Sequence, residues 1–336
     1  MSPPMTEVTV SSIDLSLTGT PETDRTAALE LDRAFSTLGF ATIRGHGVPT
    51  ERFDRTYAIA RRFFGLPESE KLRYLPDRPG LFRGYSAVGT HRSAVGSHKA
   101  DAARAPGDLG ETYMIARVDG LDDPYYHDPA FGLTYAPNFW PQVPGFREQF
   151  EDYYRTMEQL ALRLMRLAAI ALELDPAFFA SKLRRHCSTC TLINYPPLSA
   201  PPLPGQLRRG EHTDNGVLTL LHQRTDGPPG LQVRPRNQDW LDVRTAPGEI
   251  ILNIGDLLAR WTNDRWVSTP HRVVLPAGEW TSRERLSLAY FQKTDFDALI
   301  EVAPTCLQPG ERSRHEPIIA GDWMRAKMLR SRGQAT

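Results

Sequence analysis

The sequence predicts an α+β fold in which a helical N-terminal half packs against a β-rich C-terminal half. Apolar residues recur at the helical period through 146–174. After residue 188, apolar runs become short and are separated by Gly, Pro and Asp turns, which is typical of strands. At 336 residues with 40% hydrophobic and 24% charged residues, the chain is long enough to bury a sizeable core. Strands at this spacing indicate a sandwich, a jelly roll or a barrel.

The N-terminal half alternates between short strands and amphipathic helices. We predict a strand at 8–15, a helix at 21–38 capped by Gly39, a strand at 40–43 and a helix at 51–64. Residues 75–145 are rich in Pro, Gly and Asp and are predicted to form long loops with little regular structure. Because long loops in a compact domain are usually functional, this stretch is a candidate wall of a pocket.

The rest of the chain supplies the core helix and the strands. The stripe of aromatic, Met and Leu residues in 146–174 indicates core packing. The predicted strands are 191–195, 217–222, 230–233, 250–254, 272–275 and 286–291. The predicted division is a helical N-terminal region with pocket-forming loops (1–185), a β core (186–300) and a helical C-terminal tail (301–336).

Charge and cysteine content narrow the class of partner. Lys and Arg together number 40, as do Asp and Glu, so the formal net charge is zero and a nucleic-acid partner is not expected. We expect a small-molecule substrate and no membrane partner, because no signal peptide or membrane-spanning stretch is evident. Three cysteines favour a reducing, cytoplasmic location. Nothing in the sequence indicates the oligomeric state.

One histidine and one carboxylate are spaced for metal binding. On an extended backbone the side chains of His212 and Asp214 leave the same face. A second histidine from a later strand, such as His271, would complete a set of two imidazoles and one carboxylate, which is typical of non-haem Fe(II) oxygenases. The His-x-Asp pattern alone is weak evidence, because His212 could equally be a histidine in a loop or at a sheet edge.

A second pair of polar residues lies fourteen positions beyond His271. Arg285 and Ser287 share one face of a predicted strand, where a guanidinium and a hydroxyl could bind a carboxylate. Taken alone, the pair could be a solvated strand face. A metal triad together with a carboxylate clamp is what a 2-oxo dicarboxylic acid would need.

Motifs along nearly the whole chain resemble the isopenicillin N synthase-like family of non-haem Fe(II)/2-oxoglutarate dioxygenases. In the C-terminal half these are HTD at 212–214, LNIGD at 252–256, WTND at 261–264, STPHRV at 268–273 and RLS at 285–287. In the N-terminal half they are IDL at 13–15, GF at 39–40, HGV at 46–48, FF at 63–64 with LP at 66–67, RGY at 83–85 and NFWP at 138–141.

The resemblance implies a double-stranded β-helix (jelly-roll, cupin-like) core buttressed by the N-terminal helices. It implies Fe(II) held by His212, Asp214 and His271, with 2-oxoglutarate bound through its distal carboxylate to Arg285 and Ser287. Tyr195 matches a family position that often adds a hydroxyl to that clamp. The implied reaction consumes O2, releases succinate and CO2, and oxidises an unactivated C–H bond of a specialised metabolite by hydroxylation, desaturation or cyclisation.

The substrate-binding residues follow from the same resemblance, which places the substrate between the N-terminal loops and the open end of the jelly roll. The candidates are Tyr85, Glu111, Tyr113, Phe139, Trp140 and Phe291. Two other functions stay open. One is an oxidase of the isopenicillin N synthase type, which uses no 2-oxoglutarate and could ligate iron through Gln334. The other is a non-catalytic binding protein.

Other residues of types that could bind a metal or take part in catalysis are expected to be structural. Cys187 and Cys190 form a single CxxC pair, which is weak evidence for zinc without a second pair. His46, His222 and Asp256 are expected to pack or to order turns.

Overall fold

The computed structural model describes residues 10–93, 106–198, 200–236, 238–275 and 277–331. Within these ranges, no helix combines the length and the hydrophobicity needed to cross a bilayer.

Six α-helices and fourteen strands lie in the described residues. The helices are α1 (Pro21–Thr37), α2 (Thr50–Phe64), α3 (Glu68–Leu72), α4 (Phe146–Ala171), α5 (Asp256–Trp261) and α6 (Ala320–Ser331). The first seven strands are β1 (Ser11–Asp14), β2 (Phe40–Arg44), β3 (Gly84–Ser86), β4 (Glu111–Ala116), β5 (Thr189–Tyr195), β6 (Arg209–His212) and β7 (Leu218–Gln223). The others are β8 (Leu231–Val233), β9 (Leu241–Asp242), β10 (Ile250–Ile254), β11 (His271–Val273), β12 (Arg285–Gln292), β13 (Leu299–Ile300) and β14 (Ile318–Ile319).

Two sheets form the β core. The major sheet has the order β1-β2-β10-β7-β12-β5-β4-β3, and the minor sheet has the order β6-β11-β8-β9. All pairings are antiparallel except β1 with β2. Phe40, Tyr195 and Ile251 of the major sheet form one apolar cluster with Leu231 and Val273 of the minor sheet. The two sheets therefore face each other, which is the jelly-roll arrangement that the resemblance implied.

The opposite face of the major sheet is covered by helices. α4 packs against α1, α2, β12 and β7, and its buried stripe runs from Phe146 to Ala171. Residues of α1, α2 and α4 and of the major sheet form the larger hydrophobic core of the molecule. The predicted core role of the 146–174 stripe and the predicted buttressing helices are confirmed.

Local chemistry explains where α1 begins and ends. Thr20 caps its N-terminus, because the Thr20 hydroxyl accepts from the Thr23 backbone and the Thr23 hydroxyl accepts from the Thr20 backbone. At the other end, Gly39 has φ = 70°, and its N–H donates to the Ala34 carbonyl. A Cβ on Gly39 would lie 1.9 Å from the Val267 carbonyl oxygen, so only glycine fits there.

The prediction of little regular structure in 75–145 was wrong in part. β3 and β4 lie within this stretch and extend the major sheet beyond β5. Their few residues lie among Gly and Pro turns, which hid the strand period. β6 and α5 were also missed, since four and six residues are too short to establish a period. The three-part division at residues 185 and 300 stays a prediction, although four N-terminal strands belong to the major sheet.

Candidate metal centre

Strand pairing brings the two predicted histidine ligands together. β6 and β11 are antiparallel neighbours, and His271 lies directly opposite His212. Their ring centroids are 4.3 Å apart. Asp214 follows the end of β6 by two residues, and its Oδ1 lies 3.8 Å from Nε2 of each histidine. One donor atom from each of the three residues lies within 4.8 Å of the others, close enough to share one ion.

Neighbouring groups orient each donor atom. Nδ1 of His212 lies 2.8 Å from the Gly210 carbonyl, and Nδ1 of His271 lies 3.2 Å from the Thr269 carbonyl. Since a carbonyl only accepts, each Nδ1 carries the proton and each Nε2 is left with a free lone pair. The chemistry and the orientation of this donor set fit a borderline divalent cation such as Fe(II).

The Asp214 carboxylate is fixed by hydrogen bonds to the oxygen that faces away from the histidines. Its Oδ2 accepts from Thr219 Oγ1 at 2.6 Å and from Asn253 Nδ2 at 2.8 Å, while Oδ1 faces the histidines. Thr219 lies on β7 and Asn253 on β10, so two strands of the major sheet fix a ligand that follows the minor sheet.

The end of α1 positions the loop that carries His271. The Val267 N–H donates to the Phe35 carbonyl, and Thr269 Oγ1 donates to the Leu38 carbonyl at 2.5 Å. The Phe40 ring then packs edge-on against His271, with centroids 5.3 Å apart. The close approach at Gly39 makes this docking possible, which gives the Gly-Phe motif a physical role.

Burial and neighbouring groups favour the metal-binding protonation states of His212 and Asp214. Burial, reinforced by His271 and Arg209, lowers the pKa of His212 well below its usual range. Burial alone would raise the pKa of Asp214, but the two histidines and the hydrogen bonds from Thr219 and Asn253 together lower it. Neutral imidazoles and an ionised carboxylate are the forms that bind cations.

The predicted carboxylate clamp lies on β12. Arg285 and Ser287 are 4% and 1% exposed. Arg285 Nη1 donates to Ser287 Oγ and Nη2 donates to Gln223 Oε1, both at 2.7 Å. Tyr195 is paired with Arg285 in the β5–β12 register, and the guanidinium carbon lies 5.2 Å from the centre of its ring. Burial lowers the pKa of Arg285.

No carboxylate of the described residues pairs with Arg285. A buried charge without a counterion is costly, so this position favours an anionic ligand.

The triad and the clamp line one cavity of about 90 Å³. His212, Asp214 and His271 are at its wall together with Arg285, Ser287 and Tyr195, and both sheets contribute apolar side chains. A metal cation and a guanidinium that face the same small cavity would bind a molecule with one negatively charged group at each end.

Of the predicted substrate-binding residues, only Phe291 lines this cavity. The prediction that Tyr85, Glu111 and Tyr113 line the pocket was wrong for this cavity, because the register places them on the helix-facing side of the major sheet. Glu111 pairs with Asn194, whereas the neighbouring Tyr195 faces the cavity. Glu111 is 3% exposed and accepts from Tyr85 Oη, Lys71 Nζ and Asn194 Nδ2. The Tyr113 ring packs against Phe63 and Phe146 of the helical layer.

Phe139 and Trp140 also do not line this cavity. A Cβ on Gly84 would lie 2.3 Å from the Phe139 ring, so Phe139 packs over the backbone of β3. Trp140 is partly buried against the hydrophobic core, and the Arg147 guanidinium lies 5.6 Å from its ring centre. A substrate contact for these two residues stays a prediction.

Several residues at the site were missed from sequence. Thr219, Asn253 and Gln223 support the triad or the clamp. Arg208 is fully buried, its guanidinium carbon lies 6.0 Å from the centre of the Tyr195 ring, and two of its nitrogens lack a hydrogen-bond partner among the described residues. The LNIGD motif contains Asn253, so that motif could have indicated it. Thr219, Gln223 and Arg208 stand in no motif, and only the fold brings the first two to the triad and the clamp and Arg208 near Tyr195.

The residues expected to be structural have structural partners. His222 stacks on Phe53 with centroids 3.8 Å apart, and His46 Nε2 lies 2.8 Å from the Gly248 carbonyl. Asp256 begins α5 and accepts from Lys327 Nζ. Cys187 donates to the Thr294 carbonyl and Cys190 is fully buried. Among the described residues, the triad is the only His/Cys/Asp/Glu group placed to hold a metal.

Comparison with known proteins gives the same assignment. Residues 187–294 match the 2OG-Fe(II) oxygenase superfamily, and residues 10–143 match the N-terminal family of the non-haem dioxygenase in morphine synthesis. The 2-oxoglutarate-dependent dioxygenase htyE of Aspergillus rugulosus is 33% identical over 318 residues, which cover 90% of this chain and 93% of that protein. The chain belongs to the 2-oxoglutarate–Fe(II) oxygenase superfamily.

Other proteins are similar to this oxygenase over most of their length. The validamycin A dioxygenase of Streptomyces hygroscopicus subsp. limoneus is 32% identical, covering 86% of this chain and 77% of its own. The crystal structure of a full-length Neurospora crassa protein in complex with alpha-KG superposes with a TM-score of 0.82 at 29% identity, covering 95% of this chain and 96% of that one. These likenesses confirm the double-stranded β-helix core.

This oxygenase is therefore a 2-oxoglutarate-dependent non-haem iron dioxygenase that uses Fe(II), 2-oxoglutarate and O2. The alternative of an oxidase without 2-oxoglutarate depended on Gln334, which lies outside the described residues. The relative htyE is named a 2-oxoglutarate-dependent enzyme, and the buried clamp offers an anion site suited to that co-substrate.

Proposed function

We propose that this dioxygenase oxidises an unactivated C–H bond of a small molecule in specialised-metabolite biosynthesis, with release of succinate and CO2. Hydroxylation is the default outcome, and desaturation or cyclisation would need only a different placement of the substrate carbon. The observation that carries the proposal is the single cavity that the His-Asp-His triad shares with the uncompensated Arg285. A relative named for validamycin A and a family named for morphine synthesis support a specialised metabolite.

His212, Asp214 and His271 hold Fe(II) in this proposal. Bound there, the ion would supply the activation of O2 and the oxidising power that removes hydrogen from carbon. Thr219 and Asn253 aim one oxygen of Asp214 at the ion.

Arg285 binds the distal carboxylate of 2-oxoglutarate, with Ser287 and Tyr195 completing the clamp. The Ser287 hydroxyl and the Gln223 amide hold the guanidinium in place before the co-substrate arrives, which lowers the entropic cost of binding. Apolar residues of both sheets also line the space between clamp and triad and would limit the access of water once the ligands are bound.

The proposal also covers the binding partners and the cellular location of the enzyme. The balanced charge supports a small-molecule substrate without a nucleic-acid or membrane partner. Three free cysteines, two of them buried, support a cytoplasmic location.

The test is succinate formation by variants of the triad. Asp214→Ala is expected to abolish succinate formation, because the ion would lose its only anionic protein ligand. The matched control is Asp242→Ala, at an exposed carboxylate on the edge strand of the minor sheet. Undiminished turnover in Asp214→Ala would refute the metal assignment.

A further inference from the structure

A second cavity, of about 210 Å³, lies beyond the candidate metal centre. Loop residues of the N-terminal half, the end of β12, the start of β5 and helix α6 enclose it. Its wall includes Arg83, Phe131, Thr189, Lys293, Phe296 and Met324.

Strand register connects this cavity to the triad. Thr219 holds Asp214 and is paired with Phe291 across β7 and β12. Phe291 lines the first cavity, and its partner on β5, Thr189, lines the second. Lys293 follows Phe291 by two residues, about 7 Å along an extended chain. The second cavity therefore begins beside Phe291, which lines the first cavity.

The charge in this cavity is unbalanced. Arg83, Lys293 and Arg325 line it, and none of the described residues at its wall is acidic. Arg325 is neutralised by Asp322 at 2.9 Å. Lys293 has no ion-pair partner among the described residues, and its hydrogen bonds are made by its backbone.

Arg83 adds a buried cation to the half-buried Lys293. It is 4% exposed, and its Nη atoms donate to the Leu133 and Thr134 carbonyls. Its Nε has no hydrogen-bond partner in the described structure. Burial and the nearby Arg83 guanidinium lower the pKa of Lys293, which means that an anion here would relieve an electrostatic cost.

The rest of the cavity wall is apolar and carries no reactive side chain among the residues described below. The Phe131 and Phe296 rings contact each other with centroids 4.9 Å apart, and Met324 of α6 packs nearby. Burial raises the pKa of the Cys187 thiol to about 11, which disfavours its reactive thiolate form.

We propose that this cavity binds the primary substrate and that the substrate is a small carboxylate with an apolar body, anchored by the Lys293 ammonium. This inference rests on the proposed function and adds the substrate class to it. The carboxylate would lie at Lys293, with Arg83 adding positive potential, and the apolar body would lie along the phenylalanine wall. Lys293 acts as a specificity-determining residue and takes no part in holding the metal or 2-oxoglutarate.

The test compares a carboxylate with its neutral analogue. The enzyme is loaded anaerobically with Fe(II) and saturating 2-oxoglutarate, so that the Arg285 clamp is filled. It is then titrated calorimetrically with 3-phenylpropionate and with 3-phenylpropionamide. The wild type is expected to bind the acid at least about tenfold more tightly than the amide, because a charge-assisted hydrogen bond is lost in the amide.

Lys293→Met is expected to remove this preference, leaving the two affinities within about threefold of each other. Lys293→Arg is expected to retain it, and Lys293→Gln provides a second neutral variant should the methionine not fold. The matched control is Lys182→Met, at a lysine outside the cavity. A preference that persists in both neutral variants, or a wild type that binds neither probe or shows no preference, would overturn the proposal.

Failure of the proposed function gives a different result. In that case 2-oxoglutarate would produce no visible absorption with the Fe(II) enzyme, whatever the two probes do. A normal 2-oxoglutarate signal without a Lys293-dependent preference would overturn the substrate class alone.

Discussion

Replacing Arg285 by methionine tests the clamp, because methionine keeps an unbranched side chain but loses the charged guanidinium. The guanidinium is buried, is held by Ser287 and Gln223, and has no carboxylate partner among the described residues. In the variant, the distal carboxylate of 2-oxoglutarate would be buried without a cationic partner, which costs about 3–5 kcal/mol. At 1.4 kcal/mol for each factor of ten, the Kd for 2-oxoglutarate should rise about 150-fold to about 4,000-fold.

The assay is an anaerobic titration of the Fe(II) enzyme with 2-oxoglutarate, followed by its visible absorption. Arg285→Lys keeps the charge but loses the planar fork, so its Kd should rise only about tenfold. Arg283→Gln, at an exposed arginine two residues earlier, is the matched control and should bind normally. A methionine variant that binds 2-oxoglutarate within about threefold of wild type would refute the clamp.

Three further predictions follow from neighbouring contacts. Thr219→Val removes one of the two hydrogen bonds to Asp214 Oδ2, so Fe(II) affinity measured by chelator competition should fall about 10-fold to 100-fold; unchanged affinity would contradict the orienting role. Glu111→Gln removes the ion-pair partner of the largely buried Lys71 ammonium and should lower the free energy of unfolding by about 3 kcal/mol in urea titrations, while 2-oxoglutarate affinity stays normal; the reverse pattern would restore Glu111 to the active site. Burial lowers the pKa of His222 to about 3. As pH falls below about 6.5, His222 therefore binds a proton in the unfolded chain but stays neutral in the folded chain. Stability should therefore decline from about pH 6.5 toward pH 3, by up to about 1.4 kcal/mol per pH unit from this group, and His222→Gln should flatten that decline; an unchanged slope would exclude His222 as a source.

The metal ligands and the clamp were predictable because each depends on short-range strand geometry. His212 and Asp214, and likewise Arg285 and Ser287, are two residues apart, and such pairs share a face wherever the backbone is extended. The order of the motifs along the chain then indicated the family and, through it, the jelly-roll core.

The substrate-facing residues were less predictable because a strand's face is decided by what packs against it. Glu111 resembles a pocket residue in sequence, yet Lys71 and Asn194 hold it on the helix-facing side. A shift of one residue in the β4–β5 register would reverse that assignment. The second cavity brings together Arg83, Lys293 and Met324, which are far apart in sequence, and no local pattern signals their contact.

Both ends of the major sheet are made by strands from the first 116 residues of the chain. β2 pairs with β10 at one end, and β4 pairs with β5 at the other. A fragment that begins at residue 186 would leave β10 and β5 with open hydrogen-bonding edges and would uncover the face on which α4 packs, which favours intermolecular association. We therefore expect that the iron-binding half does not fold on its own. Its strands pair with segments more than 70 residues away in the sequence, and such long-range pairing predicts slow folding.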